Sequence, residues 1–177
     1  MEPGYSRRDE PISALAAKGS RGDKVMVSGF LGLAAGSAGL AQELRGAAVA
    51  PPPLPALLAL TSVTVAGAGL FRCSDRLCPT RWLGDENVTV SDDLHAAFSA
   101  ATFALWIAMP LLAARRAGDA PPRYRRWCRW LAASTLVALV GGGLLARRPS
   151  ERWSGAAQRL MLVSALSWYP LAGLTAP

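Results

Sequence analysis

Five side chains with chemical potential recur at helical spacing within one stretch of the chain. Asp92, His95, Ser99, Thr102 and Trp106 are separated by three, four, three and four residues, which places them along one side of an α-helix. His95 is the single histidine of the chain. An imidazole beside a carboxylate can act as a general base or hold a polar group. Three roles stay open for His95: packing, part of a ligand or proton site, and metal ligation.

A second polar pair could meet this stripe. Gln158 and Arg159 lie about one turn inside the last apolar segment, whose start shares a membrane face with the start of the segment that carries the stripe. Because a guanidinium pairs with a carboxylate through two parallel hydrogen bonds, we expect Arg159 to pair with Asp92 or Asp93. Gln158 is then expected to reach His95. The alternative places the Arg159 guanidinium at the membrane interface.

The two carboxylates also have a purely structural interpretation. If Ser91 caps the helix, Asp92 and Asp93 lie in its first turn. There the helix dipole and the free N–H groups stabilise negative charge.

Two cysteines precede the stripe. Cys73 and Cys78 are close enough in sequence to close a small ring, and such a disulfide persists on an oxidising face of the membrane. Two unpaired thiols are the alternative. Since structural zinc takes four ligands, two thiols and a histidine distant in sequence predict no metal site.

The elements that position these residues are predicted to cross a membrane. Hydrophobic residues make up 51% of the chain and charged residues only 18%, whereas soluble domains carry about 25% charged residues. Spanning a hydrocarbon core of roughly 30 Å takes a helix of roughly 20 apolar residues. Five such runs occur, from about Val25 to Glu43, Pro53 to Phe71, Asp93 to Ala113, Trp127 to Ala146 and Gly155 to Leu174.

The predicted fold is therefore an all-α, polytopic transmembrane bundle of five spanning helices. A barrel is excluded because the runs lack alternating polarity. Residues 1–24 contain no apolar core long enough for a signal peptide or a span. They are predicted to form an extramembrane segment, and residues 25–177 the bundle.

Three stretches resemble a family of bacterial integral membrane proteins, domain of unknown function 998. They are GYSRRDEPISALAAKGSRGDKVMVSGFLGL, the cysteine-bearing loop before SDDLHAAFSA, and GAAQRLMLVSALSWYPLAG. Members usually begin with another transmembrane helix before the Ile-Ser loop. The resemblance therefore implies either an N-terminally shortened chain or a five-helix variant, and it implies no activity.

Two arguments on orientation disagree. The bare number of Lys and Arg residues favours a cytoplasmic N-terminus. The densest basic connector, RRAGDAPPRYRRWCR, lies on the opposite side, and the cysteine pair favours an oxidising environment for its own loop. We expect a multi-pass protein of the cell membrane, with the Cys73 loop outside and the Arg115 to Arg129 connector in the cytoplasm.

Several function classes are excluded. No lysine lies within a span to form a retinal Schiff base, one histidine cannot supply two axial haem ligands, and no phosphate-binding loop occurs. No cofactor is expected. The net charge of +7 indicates attraction to anionic membrane lipids rather than to nucleic acid, and a second copy or another membrane protein is a possible partner.

Three functions remain. The first is a non-catalytic helper or packing protein of the membrane, which the sequence favours over an enzyme. The second is a carrier or binder of a lipid-like or small polar ligand. The third is an intramembrane lipid hydrolase or transferase, in which Asp92 or Asp93 orients His95 as the base and Arg159 completes the site.

Overall fold

The computed structural model describes residues 4–45, 50–76, 78, 81, 86–116, 121–146 and 154–173. Within these ranges every regular element is helical. A short 3-10 helix is followed by six α-helices. The elements are the 3-10 helix Ile12–Ala16, α1 Asp23–Arg45, α2 Pro53–Leu70, α3 Val90–Arg116, α4 Pro122–Ala146, α5 Ser154–Leu166 and α6 Trp168–Gly173.

Four of these helices, α1 to α4, are long and apolar enough to cross a membrane. A helix satisfies its backbone N–H and C=O groups internally, which the hydrocarbon core requires. The predicted all-α fold is thus confirmed, and four of the five predicted spans coincide with such helices.

The fifth predicted span is interrupted. α5 ends at Leu166 and α6 begins at Trp168. Pro170 has no N–H to donate to the carbonyl of residue 166, and its ring clashes with that carbonyl. The prediction of five continuous spanning helices is therefore not confirmed. Residue 174, where that span was predicted to end, lies outside the described residues.

Two helices begin before their apolar runs. α3 begins at Val90 and α4 at Pro122. The starts predicted from the apolar runs were Asp93 and Trp127. Proline suits the first helical position because its φ is already helical and its missing N–H has no partner there. Polar first turns therefore extend both helices beyond the hydrophobic pattern.

Helices adjacent in sequence pack against each other from α1 through α5. Two glycines of α2 allow close contact on both of its sides. A Cβ at Gly67 would lie 2.6 Å from the ring of Phe98 in α3, and a Cβ at Gly69 would lie 2.6 Å from Cβ of Phe30 in α1. Small residues at such crossings let membrane helices approach closely. Since the 3-10 helix contacts both α1 and α5, it links the two ends of the series.

Candidate functional site

A cavity of about 610 Å³ lies within the bundle, between α1, α2, α3 and α5, with one contribution from α4. The five residues of the stripe on α3 all line it: Asp92, His95, Ser99, Thr102 and Trp106. The spacing of three and four residues therefore identified one continuous wall of a cavity. At a rise of about 1.5 Å per residue, this wall is roughly 21 Å long.

Most of the remaining wall is hydrophobic. Apolar side chains from α1, α2, α3 and α5 line the cavity, among them Met26, Phe30, Leu33, Val65, Phe103 and Leu162. The polar groups gather toward the end formed by the start of α3, the start of α5 and the disulfide region. The cavity thus has one polar end and an apolar body.

Asp92 is buried, with 1% of its surface exposed, and its carboxylate accepts four hydrogen bonds. Ser74 donates its backbone N–H at 2.6 Å and its hydroxyl at 2.8 Å. Thr89 donates its backbone N–H at 2.8 Å and its hydroxyl at 2.6 Å. A carboxylate with four short donors needs no cation for stability. Asp92 therefore ties the loop after α2 to the start of α3.

The start of α3 differs from the predicted cap. Thr89, not Ser91, precedes the helix, and its Oγ1 accepts the N–H of Asp92 at 3.3 Å. With the reciprocal bond from Thr89 N–H to the Asp92 carboxylate, this arrangement is a capping box. Ser91 instead donates its hydroxyl to the carbonyl of Arg72 at 2.8 Å.

His95 is also buried, and its ring is fixed by the backbone of α2. Nδ1 lies 2.8 Å from the carbonyl oxygen of Ala68 and 3.0 Å from that of Phe71. Since carbonyl oxygens only accept, Nδ1 carries the proton and the lone pair of the neutral ring is on Nε2. These carbonyls lie near the C-terminus of α2, where the last helical carbonyls have no partner within the helix.

Cys73 and Cys78 are joined by a disulfide, with their Cα atoms 5.0 Å apart. Both residues line the polar end of the cavity. A ring nitrogen of His95 and the two sulfur atoms all lie within 4.8 Å of one another. The sequence did not predict this proximity, because His95 is distant from both cysteines along the chain.

The predicted pairing of Arg159 with Asp92 or Asp93 is wrong. The Arg159 guanidinium donates to the backbone carbonyls of Arg7, Glu10 and Gly155 and to the hydroxyl of Tyr5. The guanidinium also lies 5.7 Å from the centre of the Tyr5 ring. Three of these four acceptors lie in the N-terminal segment, whose irregular backbone presents carbonyl oxygens to Arg159. A helical periodicity carries no information about such a segment.

Asp93 and Gln158 also have partners other than those predicted. Asp93 pairs with Arg81 at 3.1 Å, and both side chains are substantially exposed. Gln158 lines the cavity together with His95, but its side-chain oxygen accepts the backbone N–H of Ile12. Of the predicted cluster, Asp92, His95, Ser99 and Gln158 share the cavity, whereas Asp93 and Arg159 do not line it.

The N-terminal segment covers the polar end of the cavity. Residues Pro11, Ile12 and Ser13 line the cavity directly. The segment is anchored by the Ala156 N–H, which donates to the carbonyl of Arg8 at 2.9 Å. A salt bridge of 3.0 Å joins Arg76 to Glu10. The residue pattern did not predict that the N-terminal segment would line the cavity, although the Ile12–Ser13 pair belongs to the stretch that carries the family resemblance.

A hydrogen-bonded network lies at the far end of the stripe. Trp106 donates its Nε1–H to the hydroxyl of Tyr169 at 3.1 Å. The same hydroxyl lies 3.1 Å from the hydroxyl of Ser37 in α1. On the neighbouring turn, Thr102 donates to Thr64 at 2.9 Å. These bonds join α1, α2, α3 and α6 beside the apolar body of the cavity.

The arrangement does not assemble the dyad that intramembrane hydrolysis was expected to use. Asp92 is saturated by Ser74 and Thr89, Asp93 pairs with Arg81, and His95 Nδ1 faces carbonyl oxygens. A base oriented by a carboxylate is therefore not formed by these residues. The groups that remain at the cavity wall suit the binding of a polar head.

The chain matches the family described as "Protein of unknown function (DUF998)" over residues 1–175. No curated protein and no solved structure matches it significantly. The match extends over nearly the whole chain, so the chain belongs to this family.

Proposed function

We propose that this member of a family of unknown function binds one lipid-like amphiphile in the cavity of its helix bundle. The observation that carries the proposal is the division of one cavity wall into a polar end at His95 and Gln158 and an apolar body beyond it. An amphiphile has the same division. The polar end offers hydrogen-bonding groups for the head of such a molecule, and the apolar body offers a surface for its tail.

The size and chemistry of the apolar body support this ligand class. The volume of about 610 Å³ falls within the range of roughly 300–1,000 Å³ that is usual for ligand sites. Each methylene removed from water contributes about 0.8 kcal/mol. An acyl chain that is already dissolved in the membrane gains less free energy on entering the cavity. The choice among ligands therefore depends on how the polar end binds the head group.

Three groups at the polar end offer complementary hydrogen bonds. His95 Nε2 can accept because Nδ1 holds the proton. The Ser99 hydroxyl can donate or accept, and the side-chain NH₂ of Gln158 can donate because its oxygen is bonded to Ile12. A head group with both a hydroxyl or amide and a carbonyl would satisfy all three.

The experiment is a thermal-unfolding series in detergent with added amphiphiles. Saturating ligand at about 100 times its Kd should stabilise the fold by about 2.7 kcal/mol. Head groups should be varied at constant chain length. Ala96→Phe fills the cavity wall and should abolish the shift, while Ala97→Phe on the exposed side of the same helix should retain it. An equal response of both variants would contradict the proposal.

The orientation proposed for the protein keeps the disulfide side outside and the α3–α4 connector in the cytoplasm. Support comes from the exposed surface at the start of α4, where Arg125, Arg126, Arg129 and Trp130 surround a shallow depression. Arginines and tryptophans of this kind favour the cytoplasmic interface with anionic lipid. Residues 117–120 of this connector lie outside the described residues. Fusions of a reporter to the connector after α3 and to the loop before α3 test the orientation. A reporter that is active only outside the cytoplasm should be active before α3 and inactive after it, and the opposite result would overturn the orientation.

A further inference from the structure

We propose that the Cys73–Cys78 disulfide is a redox centre that transfers two electrons from a dithiol to a quinone held in the cavity. The inference rests on the proposed function, since the quinone is the amphiphile that would occupy the site. It assigns chemistry to the polar end, where the disulfide forms part of the cavity wall.

The first support is the position of the disulfide. Cys73 and Cys78 both form part of the cavity wall. Cys73 is 1% exposed, while Cys78 is half-buried. Cys78 is thus the sulfur more open to an attacking thiol, and the disulfide as a whole faces the space where the ligand would lie.

The second support is the base beside the sulfurs. One of the two ring nitrogens of His95 lies within 4.8 Å of both sulfur atoms. Because the carbonyls of Ala68 and Phe71 accept from Nδ1, Nε2 is the ring nitrogen that can take a proton. A neutral imidazole can take the proton of a thiol, and the resulting thiolate is the reactive form. Reduction would separate the sulfurs and allow either one to turn toward the ring.

The third support is a hydroxyl at the more exposed sulfur. Ser13 Oγ lies 3.7 Å from Cys78 Sγ. Once Cys78 becomes the leaving thiolate, the Ser13 hydroxyl can donate a hydrogen bond to it. A lower energy of the leaving thiolate accelerates thiol–disulfide exchange.

The reaction balances in two steps. A thiolate of the dithiol attacks Cys78 Sγ, the bond between the two protein sulfurs breaks, and a mixed disulfide forms. The second thiol of the substrate displaces Cys78, which leaves an oxidised substrate and two protein thiols. The protein thiols then give two electrons and two protons to the quinone, so that the disulfide re-forms and a quinol leaves.

The class of acceptor follows from the wall of the cavity. A quinone combines a flat ring carrying two carbonyls with an apolar tail and accepts two electrons together with two protons. Phe30, Phe103 and Trp106 supply aromatic surface along the apolar body, and aromatic rings pack well in offset or edge-on contacts. The cavity lies between helices apolar enough to cross a membrane, which favours an acceptor that dissolves in the membrane.

The test is the reduction of a short-chain quinone by dithiothreitol, followed by absorbance and corrected for the reaction without protein. The wild-type protein should form quinol catalytically, and Cys73→Ser/Cys78→Ser should not. Cys78→Ser alone should also be inactive. It is the variant to use if the double variant does not fold. Cys128→Ser is the matched control, because Cys128 is a free, buried cysteine on α4 and does not line the cavity.

His95→Gln separates the base from a packing role. It should lower the rate on the order of 100-fold, and the pH at which the reduced protein reacts with iodoacetamide should rise. Ser13→Ala should lower the rate less. An unchanged alkylation profile in a folded His95→Gln variant would remove His95 as the base.

Quinone binding is measured separately by thermal unfolding with Cys73→Ser/Cys78→Ser or, if needed, Cys78→Ser. Quinone that stabilises this variant, together with wild-type protein that forms no quinol, would overturn the redox inference and leave the proposed function standing. No stabilisation by any amphiphile would overturn the proposed function itself. Equal quinol formation by wild type and the cysteine variants would also overturn the redox inference.

Discussion

The side-chain oxygen of Gln158 accepts a hydrogen bond from the backbone N–H of Ile12, so α5 holds the N-terminal segment over the cavity. Both residues line that cavity. The contact joins residues separated by 146 positions. It makes the polar end a composite of two distant parts of the chain, neither of which forms it alone.

Gly155→Ala is expected to weaken the packing of the N-terminal segment on α5. A Cβ at Gly155 would lie 2.2 Å from the carbonyl oxygen of Glu10, so the N-terminal segment would have to move. Overpacking of this kind costs about 1–3 kcal/mol. Gly36→Ala is the control, since no atom beyond its own stretch of helix backbone lies within 4 Å of its added Cβ. Thermal unfolding in detergent checks the pair, and equal melting temperatures would show that the segment does not pack on α5.

Asp92→Asn and Asp93→Asn are expected to differ although the residues are adjacent. The Asp92 carboxylate is buried and accepts four hydrogen bonds, so an amide NH₂ would face donors and cost roughly 2–3 kcal/mol. Asp93 pairs with Arg81 near the surface, where loss of a pair costs about 0–1 kcal/mol. Denaturation in detergent measures both variants. A larger loss from Asp93→Asn would contradict this assignment of their roles.

Arg159→Gln is expected to release the N-terminal segment without involving Asp92. Limited trypsin digestion should then cleave after Arg8 and Lys18 faster than in the wild type, which mass spectrometry of the products detects. Because the two residues have no common partner among the contacts described above, the stability losses of Arg159→Gln and Asp92→Asn should add within about 0.5 kcal/mol. Partial rescue of one substitution by the other would instead support the direct pair that the structure lacks.

Reduction of the disulfide is expected to destabilise the protein even where no quinone is present. A ring as short as that closed by Cys73 and Cys78 contributes on the order of 2 kcal/mol by restricting the unfolded chain. A phosphine reductant should lower the melting temperature of the wild type. It should leave Cys73→Ser/Cys78→Ser unchanged, and an equal response of the two proteins would point to an effect unrelated to this disulfide.

The sequence predicted the parts of the site that obey helical periodicity. The spacing from Asp92 to Trp106 identified one wall of the cavity, because side chains three and four positions apart share a helix face. Charge boundaries and run lengths identified α1 to α4. The break after Leu166 was not predicted, although Pro170 carries the reason for it.

The parts contributed by irregular backbone could not be predicted in the same way. The partners of Arg159 are largely carbonyl oxygens of residues 7 and 10, and any residue type provides a carbonyl. The proximity of His95 to the disulfide depends on how the loop after α2 folds back, which Asp92 fixes through Ser74. Periodicity specifies faces of helices and leaves the path of loops open.

The central claim is that the cavity holds one amphiphile, and native mass spectrometry of protein released from mild detergent tests it most directly. Wild-type protein and Ala97→Phe should each carry one bound molecule per chain of a single head-group class, whereas Ala96→Phe should carry none. Extraction and fragmentation of the bound species would identify its head group. Two results would contradict the account. The first is that none of the three proteins, prepared from native membrane, carries a bound molecule. The second is that Ala96→Phe carries the same bound molecules as Ala97→Phe.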